Sequence, residues 1–404
     1  MPGRFSLIRP QKATLLLSLL VIQFFACSHQ TPHPVADTVT KQPAETREIA
    51  ANWSASFPFR DSFDTPYLAK LIRRAAANTQ RSNHGENPGT ASDRAARLSL
   101  AARIARHWFN AIEANQQLKL AHQATEVYLK SIKRIREGYR NGANPIQDLK
   151  QARGILANAK RLLTVWERRR EQEVRALQRI LAEIDYWQQH ITSRRLPKVI
   201  HPVPPHLSAV LLERRSDLIA AEQELQKIDE RLLVAAKEWL AKIHLTDGSG
   251  HYSIELNRLT NEDQLSAALM ASITASLSRS AGPAADSPLD QADIKRGVNQ
   301  YAKVVLNAFR KVKETLAESS RLAAQERTLQ KSTAKAAERH RTGRSRAKRQ
   351  SAVGQLERQR QQFSARSTLL QVQNQRLQNR IDLHLLLGGE FASPENEPML
   401  LPIK

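Results

Sequence analysis

The stretch IREGYRNGANPIQDLKQA, residues 135–152, decides the fold of this chain. Glycine and proline interrupt helices, so the run RNGANP at 140–145 separates two segments. On both sides, over 94–139 and 146–186, apolar residues recur every three or four positions without a proline, which is typical of amphipathic helices. Two long helices joined by so short a break predict an antiparallel helical hairpin, wound as a coiled coil.

A second hairpin is predicted after residue 290, with arms at 294–341 and 346–387 and a break at TGR, 342–344. Aligning Gly142 with Gly343, 201 positions later, places Trp108 on Phe309 and the triplet Arg-Asn-Gly on Arg-Thr-Gly. This pattern favours an internal duplication. Chance similarity between two helices rich in Ala and Arg is the alternative.

The region between the hairpins has three parts. Residues 194–206 are rich in proline and form a linker, and 207–241 are predicted to form one helix. In 265–277, alternate positions are Leu, Ala or Ile, a period of two that indicates an amphipathic strand, with a shorter partner near 252–256. We therefore predict a candidate membrane β-hairpin at 242–280, with an ordinary Ala- and Leu-rich helix as the alternative. The fold class is mainly α, with a small strand pair.

The first 27 residues resemble a lipoprotein export signal. A basic start precedes the apolar run ATLLLSLLVIQFFA, which is too short for a conventional membrane span, and Cys27 follows directly. Cys27 is the only cysteine in the 404 residues, so lipid attachment is the predicted role; an ordinary cleaved signal or an uncleaved anchor is the alternative. Residues 28–62, rich in Pro, Thr and Ala without a period, are typical of a flexible tether.

Composition narrows the function classes. Aromatic residues at 5% and only 14 glycines favour long helices over a compact enzyme. The net charge of +23 would suggest nucleic acid, but the export signal argues against that partner. The excess lies mostly in 321–380, with 15 Lys or Arg against 3 Asp or Glu, as a solvated helix face or a surface for anionic groups. The sequence contains no phosphate-binding loop, HExxH motif or nucleophile elbow, so no enzyme, cofactor or metal site is expected.

Three passages resemble the TolC-like outer-membrane efflux proteins, specifically the lipidated NodT-type factors of tripartite exporters. The first is PPHLSAVLLERRSDLIAAEQEL at 204–225, whose matching charged positions are Arg214, Arg215, Asp217 and Glu222. The second is the pair of hairpin tips, and the third is IDLHLLLGGEF at 381–391, with Gly388 and Gly389. We expect the charged positions and both glycines to be structural, because such charges are far more often ion-paired than catalytic.

The resemblance implies homotrimers in which each protomer gives four strands to a shared barrel and two helical hairpins to a periplasmic tunnel. Its two helical repeats map to 63–193 and 281–391, leaving 392–404 as a tail. Only one strand pair is found here, so the barrel is predicted to be incomplete. The tips are expected to gate the tunnel and contact an adaptor protein, through Arg140, Asn141, Gly142, Asp148, Arg341, Gly343, Arg344 and Arg346.

The predicted function is that of an outer-membrane lipoprotein, anchored through Cys27 and facing the periplasm. It would form or line the exit duct of a tripartite efflux system, with a periplasmic adaptor, an inner-membrane pump and outer-membrane lipid as partners. The alternative is a lipid-anchored coiled-coil scaffold derived from the same fold that does not conduct.

Overall fold

A computed structural model describes residues 63, 65–82, 91–181, 191, 195–199, 202–280, 291–342 and 351–389, and these are mostly α-helical. Cys27, the tether and the tail at 392–404 lie outside the described residues. The helices are α1 (Pro66–Ser82), α2 (Ala91–Arg140), α3 (Ile146–Ile180), α4 (Ser216–Ile228), α5 (Glu230–Ala241), α6 (Ile254–Leu259), α7 (Glu262–Ser280), α8 (Gln291–Thr342) and α9 (Ala352–Leu386).

The first hairpin consists of α2 and α3, which pack against each other as predicted. Helix α2 has 50 residues and is therefore about 75 Å long at 1.5 Å per residue. Near the tip, Tyr128, Ile132 and Ile135 of α2 are buried against Leu149 and Ala152 of α3. Spacings of three and four residues place these side chains on one face of each helix, so the apolar stripe drives the pairing.

The second hairpin consists of α8 and α9, with residues 343–350 outside the described part. Trp108 of α2 and Phe309 of α8, which the alignment superimposes, are both 0% exposed. Trp108 belongs to one of the two large apolar clusters and Phe309 to the other. The matching burial supports a duplicated architecture. Helix α9 also packs against α2, so the two hairpins are joined side by side.

The predicted single helix at 207–241 is wrong in detail. The chain forms a 3-10 helix, Ala209–Arg214, and then α4 and α5. Asp229 separates the two α-helices in an extended conformation, and its carboxylate accepts a hydrogen bond from the backbone N–H of Arg231. A side chain that caps a new helix competes with continuation of the old one, which explains the break.

The predicted strand pair at 242–280 is also wrong over 254–280, where the chain forms α6 and α7. Leu265, Leu269 and Ile273 are buried at a spacing of four, and α7 packs against α5 and α8. Ala267 and Ala271, which the period of two placed on the same face, are exposed. Ala and Leu have the highest helix propensities, and the helical alternative therefore prevails.

Among the described residues, no helix combines the length and apolar content needed to cross a membrane.

Candidate functional site

The tip of the first hairpin is a glycine-terminated helix end. Gly142 has a φ of +72°, in the left-handed region that favours glycine. Its N–H donates to the carbonyl oxygen of Tyr139 at 3.1 Å, and the N–H of Ala143 donates to the carbonyl oxygen of Gly138 at 2.7 Å. This pair of bonds is a Schellman motif, which satisfies the last carbonyls of α2 and reverses the chain. Pro145 then precedes the first residue of α3.

Polar and apolar groups are both presented at this tip. Arg140 and Asn141 are exposed, and Asp148 is partly exposed in the first turn of α3. Tyr139 and Ile146 are 43% and 40% exposed, which is unusual for large apolar side chains. Exposed apolar groups rimmed by polar ones are typical of protein contact surfaces.

Only part of the second tip is described. Arg341 belongs to the last turn of α8, and Gly343, Arg344 and Arg346 lie outside the described residues. The charge crowding predicted there therefore remains a sequence-based expectation.

The end of α9 and the start of α4 meet in a second close junction, although they are far apart in sequence. The guanidinium of Arg215 donates to the carbonyl oxygen of Leu386 at 3.3 Å. It also forms a two-pronged ion pair with Asp217, at 2.7 and 3.0 Å. Burial alone would raise the pKa of the Asp217 carboxyl, but the hydrogen bonds and charge of Arg215 outweigh it and lower that pKa. Arg215 therefore joins the passage 204–225 to the passage 381–391.

Gly388 lies at the centre of this junction. Its φ is +62°, and its N–H donates to the carbonyl oxygen of Leu385 at 3.3 Å. The N–H of Gly389 donates to the carbonyl oxygen of His384 at 2.9 Å, which completes another Schellman motif. A Cβ atom added at Gly388 would lie 2.6 Å from Cβ of Arg214. The turn and the close approach of Arg214 therefore both favour glycine at position 388.

Glu222 is a buried structural carboxylate. It is 5% exposed and forms an ion pair with Nζ of Lys237 at 3.0 Å. Burial raises the pKa of Glu222, while Lys237 opposes that rise. Because Lys237 belongs to α5, this ion pair joins α4 to α5.

A polar layer, defined as His107, Asn110, Glu113 and Gln117 of α2 with Glu173 of α3 and Asn374 of α9, lies within the helix interface. Glu173 is 6% exposed and contacts Nδ1 of His107 at 2.7 Å. The amide nitrogen of Asn374 donates to Asn110 at 2.8 Å and to Glu113 at 2.7 Å. The layer therefore connects α3, α2 and α9 across both hairpins.

Glu113 gives this layer a dependence on pH. Burial raises the pKa of the Glu113 carboxyl. Hydrogen bonds from the amides of Asn374 and Gln117 offset only part of this rise. When the pH falls, the folded protein therefore binds a proton at Glu113 before the unfolded chain does. The contribution of Glu113 to stability should consequently rise as the pH falls through its raised pKa, and should level off below the ordinary value of 4.5.

We expect Glu113→Gln to be at least as stable as the parent protein at about pH 7, because the neutral amide avoids the cost of a buried charge and still accepts from Asn374. The difference should shrink as the pH approaches about 4.5. Thermal unfolding midpoints across this range provide the measurement, with the exposed Glu126→Gln on the same helix as the control. A Glu113→Gln protein that is less stable near neutral pH would contradict this explanation.

The spacing of apolar residues does not predict the polar layer. Its α2 members recur at spacings of three and four, the pattern of one helix face. A polar stripe of that kind usually faces solvent. Only the packing of α9 on α2 reveals that this one is internal.

Two paired helical hairpins with a short helical insert define a class of duplicated coiled-coil proteins. Residues 207–389 match the family model described as Outer membrane efflux protein. This part of the chain therefore matches the outer-membrane efflux protein family, whose members are transport components rather than enzymes.

The relatives agree with this placement. The chain is 26% identical to the cation efflux system protein CusC of Escherichia coli (strain K12), over 86% of this chain and 74% of that protein. It is 25% identical to the probable outer membrane lipoprotein SilC of Salmonella typhimurium, over 82% and 71%. A crystal structure of CusC has a TM-score of 0.57 at 22% identity, covering 87% of this chain and 92% of that one, so the two share a fold.

Proposed function

We propose that the chain acts as the outer-membrane duct component of a tripartite efflux system, assembling as a trimer. The match of residues 207–389 to the family model carries this proposal, because it includes α8, α9 and the Arg215–Leu386 junction. The duplicated hairpins support it, since long paired coiled coils are suited to building a rigid tube. CusC is named as a cation efflux system protein, and the proposal is independent of the cargo.

The first hairpin tip is the proposed contact with a periplasmic adaptor and inner-membrane pump. Tyr139 and Ile146 supply apolar area, and Arg140, Asn141 and Asp148 surround it with polar groups. This mixture matches the anatomy of a transient protein interface. Gly142 keeps the turn tight and leaves the neighbouring side chains accessible. We propose the same gating and contact role for Arg341, Gly343, Arg344 and Arg346 at the second tip.

A second candidate function is a lipid-anchored scaffold that does not conduct. One observation favours it: residues 254–280, predicted as strands, form helices packed against α5 and α8.

Conductance distinguishes the two functions. The full chain, extracted in detergent, is measured for oligomer mass by light scattering and then added to planar lipid bilayers. The duct proposal expects a trimer and discrete single-channel conductance. A stable monomer with no conductance, prepared beside a conducting relative such as CusC as the positive control, would leave only the scaffold.

The anchor is tested separately at Cys27. Cys27→Ser protein should lose palmitate labelling and remain unprocessed at the Ala26–Cys27 bond, because only the cysteine thiol accepts the lipid. Mass spectrometry of the purified protein measures both results, with Ser28→Ala as the control. Equal labelling of the Cys27→Ser protein would show that the export signal was misinterpreted.

A further inference from the structure

Helix α8 packs against α4 at very close range. A Cβ atom added at Gly297 of α8 would lie 2.3 Å from Cδ1 of Ile228 and 3.5 Å from Cδ2 of Leu225. Tyr301 follows one helical turn after Gly297, on the same face of α8. The tyrosine is therefore carried into the interface, where it is 0% exposed and belongs to the same apolar cluster as Leu218 and Leu225 of α4.

Two polar atoms of this interface have no hydrogen-bond partner among the described residues, namely the hydroxyl oxygen of Tyr301 and Oε1 of Glu222. Glu222 is 5% exposed, so both residues are almost completely buried. Its other carboxylate oxygen, Oε2, lies 3.0 Å from Nζ of Lys237. Burial of a polar atom without a hydrogen bond is unfavourable, and the great majority of such atoms in folded proteins have a partner.

The hydroxyl of Tyr301 and the carboxylate of Glu222 belong to one polar region. Burial raises the pKa of the Tyr301 hydroxyl, and the negative charges of Glu222 and Glu213 raise it further. Charges act on one another in this way only over short distances. The helix positions agree, because Glu222 lies one turn before Leu225 on α4 and Tyr301 lies one turn after Gly297 on α8.

The donors and acceptors of this region determine what kind of molecule fits between them. The tyrosine hydroxyl donates one hydrogen bond, and an ionised carboxylate only accepts. A molecule that accepts from Tyr301 and donates to Glu222 therefore satisfies both atoms. An anion would be repelled by Glu222 and Glu213. Water both accepts and donates, and a buried water molecule typically bonds to about three buried polar groups that lack other partners.

We propose that one buried water molecule bridges the hydroxyl of Tyr301 and Oε1 of Glu222. Lys237 extends the network to α5 through its ion pair with Glu222. The bridge then fixes the second hairpin on the segment between the hairpins, because hydrogen bonds are directional whereas apolar contacts allow small displacements. The inference depends neither on the trimer nor on conduction, so it stands or falls separately from the proposed duct.

Urea unfolding of the detergent-purified full chain tests the role of the hydroxyl. Tyr301→Phe removes a single oxygen atom and should lower the ratio of folded to unfolded protein about ten-fold, because the water molecule and Glu222 lose a hydrogen-bond partner. A hydroxyl without any partner would give the opposite result, a more stable Tyr301→Phe protein, and the proposal would then be wrong. Tyr139→Phe, the same change at a 43% exposed tyrosine, should leave the ratio unchanged.

A double-mutant cycle tests the bridge itself. In a Glu222→Met background the water molecule has already lost its acceptor, so Tyr301→Phe should cost much less there than in the parent. Equal losses in the two backgrounds would mean that the hydroxyl bonds to a different group, which would overturn the proposal.

A crystal structure of the parent chain decides the question even if a variant fails to fold. Electron density for one water molecule is expected within hydrogen-bonding distance of both the Tyr301 hydroxyl and Oε1 of Glu222. Direct contact between these two oxygen atoms would rule out the bridge, and so would the lack of density between them at a resolution that shows other ordered water.

Discussion

Trp108→Ala is expected to lower the free energy of unfolding by about 3–5 kcal/mol, the range for truncating a fully buried aromatic side chain. Trp108 is 0% exposed, and its ring centroid lies 5.7 Å from that of Tyr67 on α1. Removing the indole leaves a cavity where α1 and α2 pack. Urea unfolding followed by circular dichroism measures the change, with the 75% exposed Ile254→Ala as a near-neutral control.

The duplication extends this prediction to the second repeat. Phe309→Ala should cost a similar amount, because Phe309 occupies the equivalent position with its ring centroid 6.3 Å from that of Trp239. Trp108→Phe should cost much less than Trp108→Ala, since the indole Nε1 is buried and finds no hydrogen-bond partner among the described residues. If Trp108→Ala were tolerated and Phe309→Ala were not, the two positions would not be structural equivalents.

The hairpins were predictable because their signals are local. Gly142 and Pro145 terminate and restart helices by steric rules that need no tertiary context. The apolar stripe of α2 spans 50 residues, which is long enough for its period to be unambiguous. The alignment of Trp108 with Phe309 likewise depends only on sequence spacing, and it indicates two repeats.

The segment between the two hairpins was predicted less well, because the apolar pattern at 265–277 is short and ambiguous. In 265–277, alanine occupies positions that would lie on the apolar face of a strand. Alanine is equally well tolerated on the exposed face of a helix. Leu265, Leu269 and Ile273 satisfy both periods, so periodicity alone did not separate strand from helix. Packing of α7 against α5 and α8 decides in favour of the helix.

The contacts of Arg215 and of the polar layer were not predicted, and the reason is different. The bond from Arg215 to the carbonyl oxygen of Leu386 joins residues 171 positions apart. The polar layer likewise needs Asn374 to lie beside Glu113. Sequence patterns predict which face of a helix is polar, but they do not reveal which distant helix covers that face.

Gly388→Ala is expected to lower the free energy of unfolding by about 2–5 kcal/mol, combining two costs. A left-handed conformation costs a residue with a Cβ atom about 1–2 kcal/mol, and overpacking adds about 1–3 kcal/mol. At Gly388 the φ is +62°, and the new Cβ would lie 2.6 Å from Cβ of Arg214, an atom next to the backbone that has little freedom to retreat. The loss should therefore appear as a lower urea midpoint.

Gly154→Ala provides a matched control of opposite sign. Gly154 lies within α3 and is exposed, with nothing within 4 Å of an added Cβ atom. Alanine is the better helix former there, so this variant should be about 0.5–1 kcal/mol more stable than the parent. If both glycine variants raised the midpoint, the reduced freedom of the unfolded chain would account for both effects. The junction between α9 and α4 would then not be what requires glycine at position 388.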